Sequence, residues 1–464
     1  MNSLRCVINS LSKAAFFCVP KHASWPASAC RGHAYSHMSL LSSSKKMQLG
    51  EQLGVNSSQQ YKEKSSSTSY HVISAVTSDS ETVSISWTDG SSAKFHNIWL
   101  RDHCQCSQCY NSTTYQKEFN ILDVPLDIKP IDVSLNEQNS LSIKWPDSHV
   151  TAYDATWLKQ HSYREHGASG VTRQTGKRQK PFLWDKNTIE TKLPCPFEFN
   201  KVISEEDELN ALFRRIVKYG FAFVEETPTT VDAIEEVATR LGGFVKETHY
   251  GKVWEFSNEF LEHADTAYTS DYLRGHTDST YFSHPAGLQM LHCVEHEGTG
   301  GLNLLVDGFF AAEKLKQDDK ASFDFLTSTI IPFHYKSENL HLKAHGPMIE
   351  LDPFDASLSQ IRFNTYDMAT LDCMKYEDIA QFYKALRAYC GITCAPENQL
   401  WFKLVPGLVL IMGNWRVLHG RSSFTGKRTM QGCYVNGDDF FGKYRAKAVI
   451  HKDSNSGIIQ EERN

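Results

Sequence analysis

The sequence predicts a mainly β protein with flanking helices, in two parts: a small N-terminal β domain and a larger barrel-like domain. Three observations predict it. Short β-branched or aromatic runs separated by turn signals fill residues 69–158. Beyond Gly243 many short apolar segments alternate with turns, as in an all-β barrel with helices packed outside. Helical periodicity is confined to a few stretches. The 464 residues, 41% hydrophobic and 22% charged, are ordinary for a globular chain and enough for two domains.

Residues 1–50 hold six basic residues (Arg5, Lys13, Lys21, Arg31, Lys45 and Lys46) and no acidic one before Glu51. With many Ser and Ala and no long apolar core, this is the composition of a cleavable mitochondrial presequence. Its removal leaves 42 basic against 54 acidic residues, a body that suits a soluble matrix enzyme. No apolar run approaches a membrane span, and a net charge of -6 offers no basic patch for nucleic acid. Residues 51–68 are polar and Ser-rich, a disordered linker.

The N-terminal domain, 69–158, has strands expected at Val72–Val76, Val83–Trp87, Lys94–Leu100, Leu141–Trp145 and Val150–Tyr153, with Asp89-Gly90 as a hairpin turn. Inside it Cys104, Cys106 and Cys109 lie within six residues, and His149 follows. Three thiolates and an imidazole suit a closed tetrahedral structural zinc site. His96 and His103 compete with His149 for the fourth position. The dispersed cysteines 195, 293, 373, 390, 394 and 433 show no ligand spacing and read as free thiols.

An interdomain linker is expected over 159–195, the larger domain over 196–445 and a C-terminal tail over 446–464. Ser204-Glu-Glu-Asp207 reads as a capping box before an apolar period at Leu209, Leu212, Phe213 and Ile216, with Gly220 as the stop. A strand is expected at Phe221–Val224 and helices at Val231–Leu241 and Tyr376–Tyr389. Gly298-Thr-Gly-Gly301 lacks the Lys-Ser/Thr of a phosphate loop and reads as a tight turn. His341 and His345 have helical metal spacing but no Glu after the first His.

The chemistry concentrates in Arg274-Gly-His-Thr-Asp-Ser-Thr-Tyr-Phe282 and Asn414-Trp-Arg-Val-Leu-His-Gly-Arg421. On a strand, His276 and Asp278 would share a face. With His419 they form a two-histidine, one-carboxylate triad, which leaves coordination positions open on non-haem Fe(II). His-x-Asp alone is weak, since His263/Asp265 and His451/Asp453 repeat it. Arg428, nine residues after His419, supplies the planar fork that would grip the carboxylate of a cosubstrate. Triad and arginine together are far more specific.

Ala267-Tyr-Thr, the run His292 to Phe309 and NWRVLHGR closely resemble the family of γ-butyrobetaine hydroxylase and trimethyllysine dioxygenase, over about Tyr70 to Tyr444. The resemblance implies a double-stranded β-helix, or jelly roll, using Fe(II), 2-oxoglutarate and O2, with ascorbate as reductant. It also implies zinc on Cys104, Cys106, Cys109 and His149, and a homodimer. Leu291 and Asn303 match positions lining the cosubstrate pocket, with Asn303 in place of a hydroxyl side chain. Tyr250, Trp254, Tyr268 and Tyr434 match an aromatic cage for a quaternary ammonium, whose charge is attracted by ring faces.

Where the hydroxylase of butyrobetaine places amides toward a lone carboxylate, this chain has Asp265 and Tyr366-Asp367. An ionised Asp only accepts hydrogen bonds, so it would pair with the α-ammonium of an amino acid. The expected substrate is therefore N6-trimethyllysine, hydroxylated at C3, with γ-butyrobetaine as the alternative. A zinc-containing interaction module with an inactive barrel would have lost a ligand or the arginine, and this chain keeps all four.

Overall fold

The computed structural model describes residues 71–136, 138–163, 180–193, 195–257 and 269–454. The expected presequence and linker, Asp265 and Tyr268 lie outside them. The chain divides into two compact units, with the break at 178/179.

The N-terminal unit holds two three-stranded antiparallel sheets, Ile73–Ser78, Thr82–Trp87 and Ser92–His96 in one, and Asp132–Leu135, Leu141–Lys144 and Val150–Tyr153 in the other. Alternation does the sorting: Val83, Ile85 and Trp87 point inward and join Phe95, Leu141, Ile143 and Trp145 in one core. Lys94–Leu100 was expected as one strand, yet the strand ends at His96. Asn97–Asp102 is a helix, because Asn97, Leu100 and Arg101 are buried at helical spacing.

The second unit is a double-stranded β-helix. Its larger sheet has the order β3-β10-β5-β8-β2-β1, where β1 is Phe197–Glu198, β2 Phe221–Glu225, β3 Val253–Ser257, β5 Leu288–His296, β8 Val409–Gly413 and β10 Arg428–Val435. The smaller sheet has the order β4-β9-β6-β7, with β4 Leu273–His276, β6 Asn303–Asp307, β7 Leu400–Phe402 and β9 Val417–Arg421. Side chains alternate between faces, so Leu291, Leu305, Leu410, Met412 and Met430 fill the interior. Met290, Ile411 and Cys433 face outward, with helices α1 (Glu206–Tyr219) and α2 (Val231–Gly242) packed on them. Leu304, Val306 and Leu418 meet α3 (Gly308–Asp318), α4 (Lys320–Ser328) and α5 (Tyr376–Thr393).

Further expectations need correction. Ser204 does not cap α1: it ends the preceding helix, Phe199–Ser204, its hydroxyl donating to the Asn200 carbonyl, and Glu205 takes the cap position. Residues 180–193 are part of the barrel unit and not a linker, since Trp184 is fully buried in its core and a helix spans Lys186–Thr191. The tail expected from residue 446 begins inside a helix, Gly437–Ser454. His341 and His345 lie on a strand, His341–Gly346, so four residues of extended chain, roughly 13 Å, separate them and no single ion spans both.

One buried ion pair ties these pieces together. Arg416 donates from Nε and Nη2 to the two oxygens of Asp307 at 3.0 and 2.7 Å, and its remaining hydrogens reach the carbonyls of Lys218 and Phe182. Asp307 in turn caps α3 and accepts from the Trp184 amide. Removing one partner strands the other charge away from water. Arg416→Met is therefore expected to destabilise the barrel unit by about 3–5 kcal/mol in urea denaturation, while a control at the exposed Lys320, Lys320→Met, changes it little.

Candidate active site

Pairing of β4 with β9 sets His276 directly opposite His419, with ring centroids 4.4 Å apart. On one strand Asp278 would share a face with His276, but the strand ends at His276. Asp278 reaches the imidazoles from a turn instead. Thr277 is pinned to the Phe363 backbone, Ser279 is left-handed (φ 62°), and Asn414 clamps the Asp278 peptide by accepting its N–H and donating to its carbonyl. That geometry brings Asp278 Oδ1 to 3.3 Å from His276 Nε2 and 3.6 Å from His419 Nε2.

The three side chains fit a metal ion. His276 Nδ1–H donates to the Arg274 carbonyl at 2.7 Å, which leaves Nε2, the atom facing the carboxylate, as the nitrogen that a metal would take in place of a proton. Burial opposes charge on Asp278, but the attraction of His419 and His276 whenever they carry a proton, and hydrogen bonds from His276 and Tyr434, hold its carboxyl well below the usual range. Burial also pushes His419 down to about 4. A carboxylate facing a neutral imidazole is a donor set ready for a cation.

Around the triad one cavity is lined by Tyr250, Trp254, Tyr434, Leu291, Asn303, Arg428, Tyr366 and Asp367. The aromatic wall is built by register. Trp254 pairs with Gly432, and a Cβ at Gly432 would sit 2.0 Å from the indole, so only glycine lets the ring lie there. Trp254 and Tyr434 rings are 5.5 Å apart. Arg428 is 3% exposed, and burial, then the charge of Arg421, pulls its guanidinium down to about 10. Beside it Asn303 is 4% exposed and keeps a buried amide nitrogen without a hydrogen-bond partner. A desolvated cation and an orphaned donor together suit a carboxylate. Asp367 accepts from Thr280 and Asn364 at 2.7 and 2.8 Å, and Tyr366 is half exposed at the rim.

Sequence reading missed several residues of this wall: Gln289, Tyr281, Tyr335 and Asn364. Asn364 stands two positions before Tyr366, in a segment with no periodicity to mark it. Tyr335 is the third inward residue of Ile331–Lys336 after Ile331 and Phe333, and it packs against Tyr281 at 5.3 Å and Tyr250 at 6.3 Å.

In the N-terminal unit His149 Nε2 lies 3.2, 3.6 and 3.5 Å from the sulfurs of Cys104, Cys106 and Cys109. A tetrahedron built on Zn–S and Zn–N bonds has S···N edges of about 3.5 Å, so the four side chains fit zinc. The rivals are engaged elsewhere: His103 bonds and stacks on Trp99, and His96 bonds Tyr163. Arg101 braces the cluster by donating to Cys109 Sγ and to Asp147, which accepts from the His149 amide.

No helix among the described residues is long and apolar enough to cross a membrane. Residues 185–434 match the model of the taurine catabolism dioxygenase TauD, TfdA family, and residues 75–159 that of the γ-butyrobetaine hydroxylase-like N-terminal domain. The chain is 39% identical to mitochondrial trimethyllysine dioxygenase of Rattus norvegicus over 357 residues, 76% of this chain and 82% of that protein. It is 38% identical to the Homo sapiens protein of the same name over 76% of this chain and 82% of that one. It is 30% identical to γ-butyrobetaine dioxygenase of Pseudomonas sp. strain AK-1, over 78% and 92%.

Zinc ligation predicts one Zn(II) per chain in protein purified without chelator. Cys106→Ala is expected to lose it and to lower the unfolding temperature of the N-terminal unit, since metal binding to a closed site contributes directly to folding; elemental analysis and calorimetry check both.

Proposed function

The chain belongs to the TauD/TfdA family of dioxygenases, alongside the trimethyllysine and γ-butyrobetaine enzymes, and from that premise we propose that it hydroxylates N6-trimethyllysine at C3. The observation that carries the reading is a single cavity lined by a triad fit for Fe(II), a buried arginine and an aromatic wall.

In this reading His276, Asp278 and His419 hold Fe(II), which, together with 2-oxoglutarate and O2, supplies the oxidising power as the cosubstrate loses CO2 and becomes succinate. Arg428 pairs with the distal carboxylate of 2-oxoglutarate, with Leu291 and Asn303 beside it. Tyr250, Trp254 and Tyr434, joined by Tyr268, surround the trimethylammonium, which cannot donate a hydrogen bond and so is recognised through ring faces. Asp265, Tyr366 and Asp367 receive the amino-acid end. Hydrogen bonds from Thr280 and Asn364 orient the Asp367 carboxylate, which supports its meeting an ammonium.

The runner-up substrate, γ-butyrobetaine, has one observation in its favour: Asn364 lines the cavity and carries an amide able to donate to a carboxylate. That amide already donates to Asp367. We further propose a soluble matrix enzyme that acts as a homodimer on a small molecule without nucleic acid or membrane contact, with Zn(II) structural and ascorbate as reductant. The mitochondrial names of the relatives and the acid-free first 50 residues support that placement.

Three outcomes are expected. Asp278→Ala abolishes trimethyllysine-dependent succinate release with the circular dichroism spectrum unchanged. Arg428→Met raises KM for 2-oxoglutarate at least about tenfold, the loss of one charge-assisted pair, with a smaller effect on KM for trimethyllysine. Wild-type protein shows the higher kcat/KM on trimethyllysine, and Asp265→Asn narrows the gap by weakening that substrate; a higher kcat/KM on γ-butyrobetaine would reverse the assignment.

A further inference from the structure

One amide in the cavity wall touches the triad directly. Gln289 is the second residue of β5, 3% exposed, and alternation aims it inward with Leu291 and Cys293. Its Nε2 donates to Asp278 Oδ2 at 2.5 Å, and the Tyr434 hydroxyl donates to the same oxygen at 2.7 Å. Its Oε1 is buried with no hydrogen-bond partner. An unpaired buried acceptor weakens a fold, so an apolar residue would serve packing alone better. The amide makes sense through its donor half.

We propose that Gln289 is a positioning residue of the metal centre, locking Asp278 so that Oδ1 alone faces the metal. The inference rests on the iron assignment above. Oδ1 lies toward both imidazoles, while Oδ2 is turned away and held by two donors. A carboxylate has about four acceptor sites. Without donors on Oδ2, Asp278 turns about its Cβ–Cγ bond and offers both oxygens to the ion, which closes a position that cosubstrate and oxygen need.

The two donors differ in the parts they play. Tyr434 has its ring in the cavity wall, where substrate packs. Gln289 sits on β5 between β8 and β10, directly opposite Met412 and Tyr434, with ladder hydrogen bonds on both sides. Both side chains line the cavity, but Tyr434 is also assigned to the ring wall for the trimethylammonium, whereas Gln289 has no other assigned part.

The test uses the full chain without oxygen. Wild type, Gln289→Leu and Gln289→Glu are titrated with Mn(II), read as free-ion electron paramagnetic resonance, and loaded with Co(II) for visible absorption. Gln289→Leu is expected to raise the Mn(II) dissociation constant roughly 10–100-fold and to change the Co(II) band pattern, with unaltered circular dichroism. Gln289→Glu keeps the shape and sets an acceptor against an acceptor, so it should be weaker still, and it decides the matter if the leucine variant does not fold. Wild-type affinity and an unchanged Co(II) spectrum in the variants overturn the inference. A wild-type chain that binds no Mn(II) overturns the iron assignment and this inference with it.

Discussion

The two sheets of the barrel meet chemically at one carboxylate. Oδ1 of Asp278 faces His276 and His419, both from the smaller sheet, and Oδ2 accepts from Gln289 and Tyr434, both from the larger one. A largely buried negative charge is tolerated only with such compensation. The site therefore requires that β4 pair with β9, and β5 with β10, in their observed registers. A slip of one residue in either would turn the side chains to the opposite face and leave the charge stranded. Asn414, one residue past the end of β8, adds the backbone half of the restraint.

The same logic places Arg428 and Asn303. Arg428 begins β10 in the larger sheet and Asn303 begins β6 in the smaller, so the guanidinium and the orphaned amide converge from opposite walls. Each is held in a desolvated place, where its interaction with a carboxylate is strong. Outside the cavity, Arg416 and Asp307 form the corresponding structural pair, already satisfied and therefore silent.

The residues legible in the sequence were those whose chemistry is rare or whose motif is local. The triad and Arg428 stood out because two histidines, a carboxylate and an arginine at that spacing have few other uses. The cysteine cluster announced itself by proximity, and its fourth member became clear only when His103 and His96 were seen to be engaged. Illegible were the partners that depend on register: Gln289, eleven residues from Asp278, and Asn414, 136 residues away, are ordinary amides in sequence. Helix ends were misread for a related reason, since a Ser hydroxyl can cap the helix that follows it or donate back into the one that precedes it, and Ser204 takes the second course. Trp184 fell in a stretch whose polar composition hid one large core residue.

In the proposed function, decarboxylation of 2-oxoglutarate is coupled in this cavity to hydroxylation of a trimethylated amino acid. The most direct measurement mixes the anaerobic complex of protein, Fe(II), 2-oxoglutarate and trimethyllysine with ¹⁸O2 and follows one turnover by mass spectrometry. One labelled oxygen atom is expected in succinate and one in the hydroxyl group at C3, in equal amounts. Succinate formed at the same rate without trimethyllysine, with no labelled amino-acid product, would contradict it.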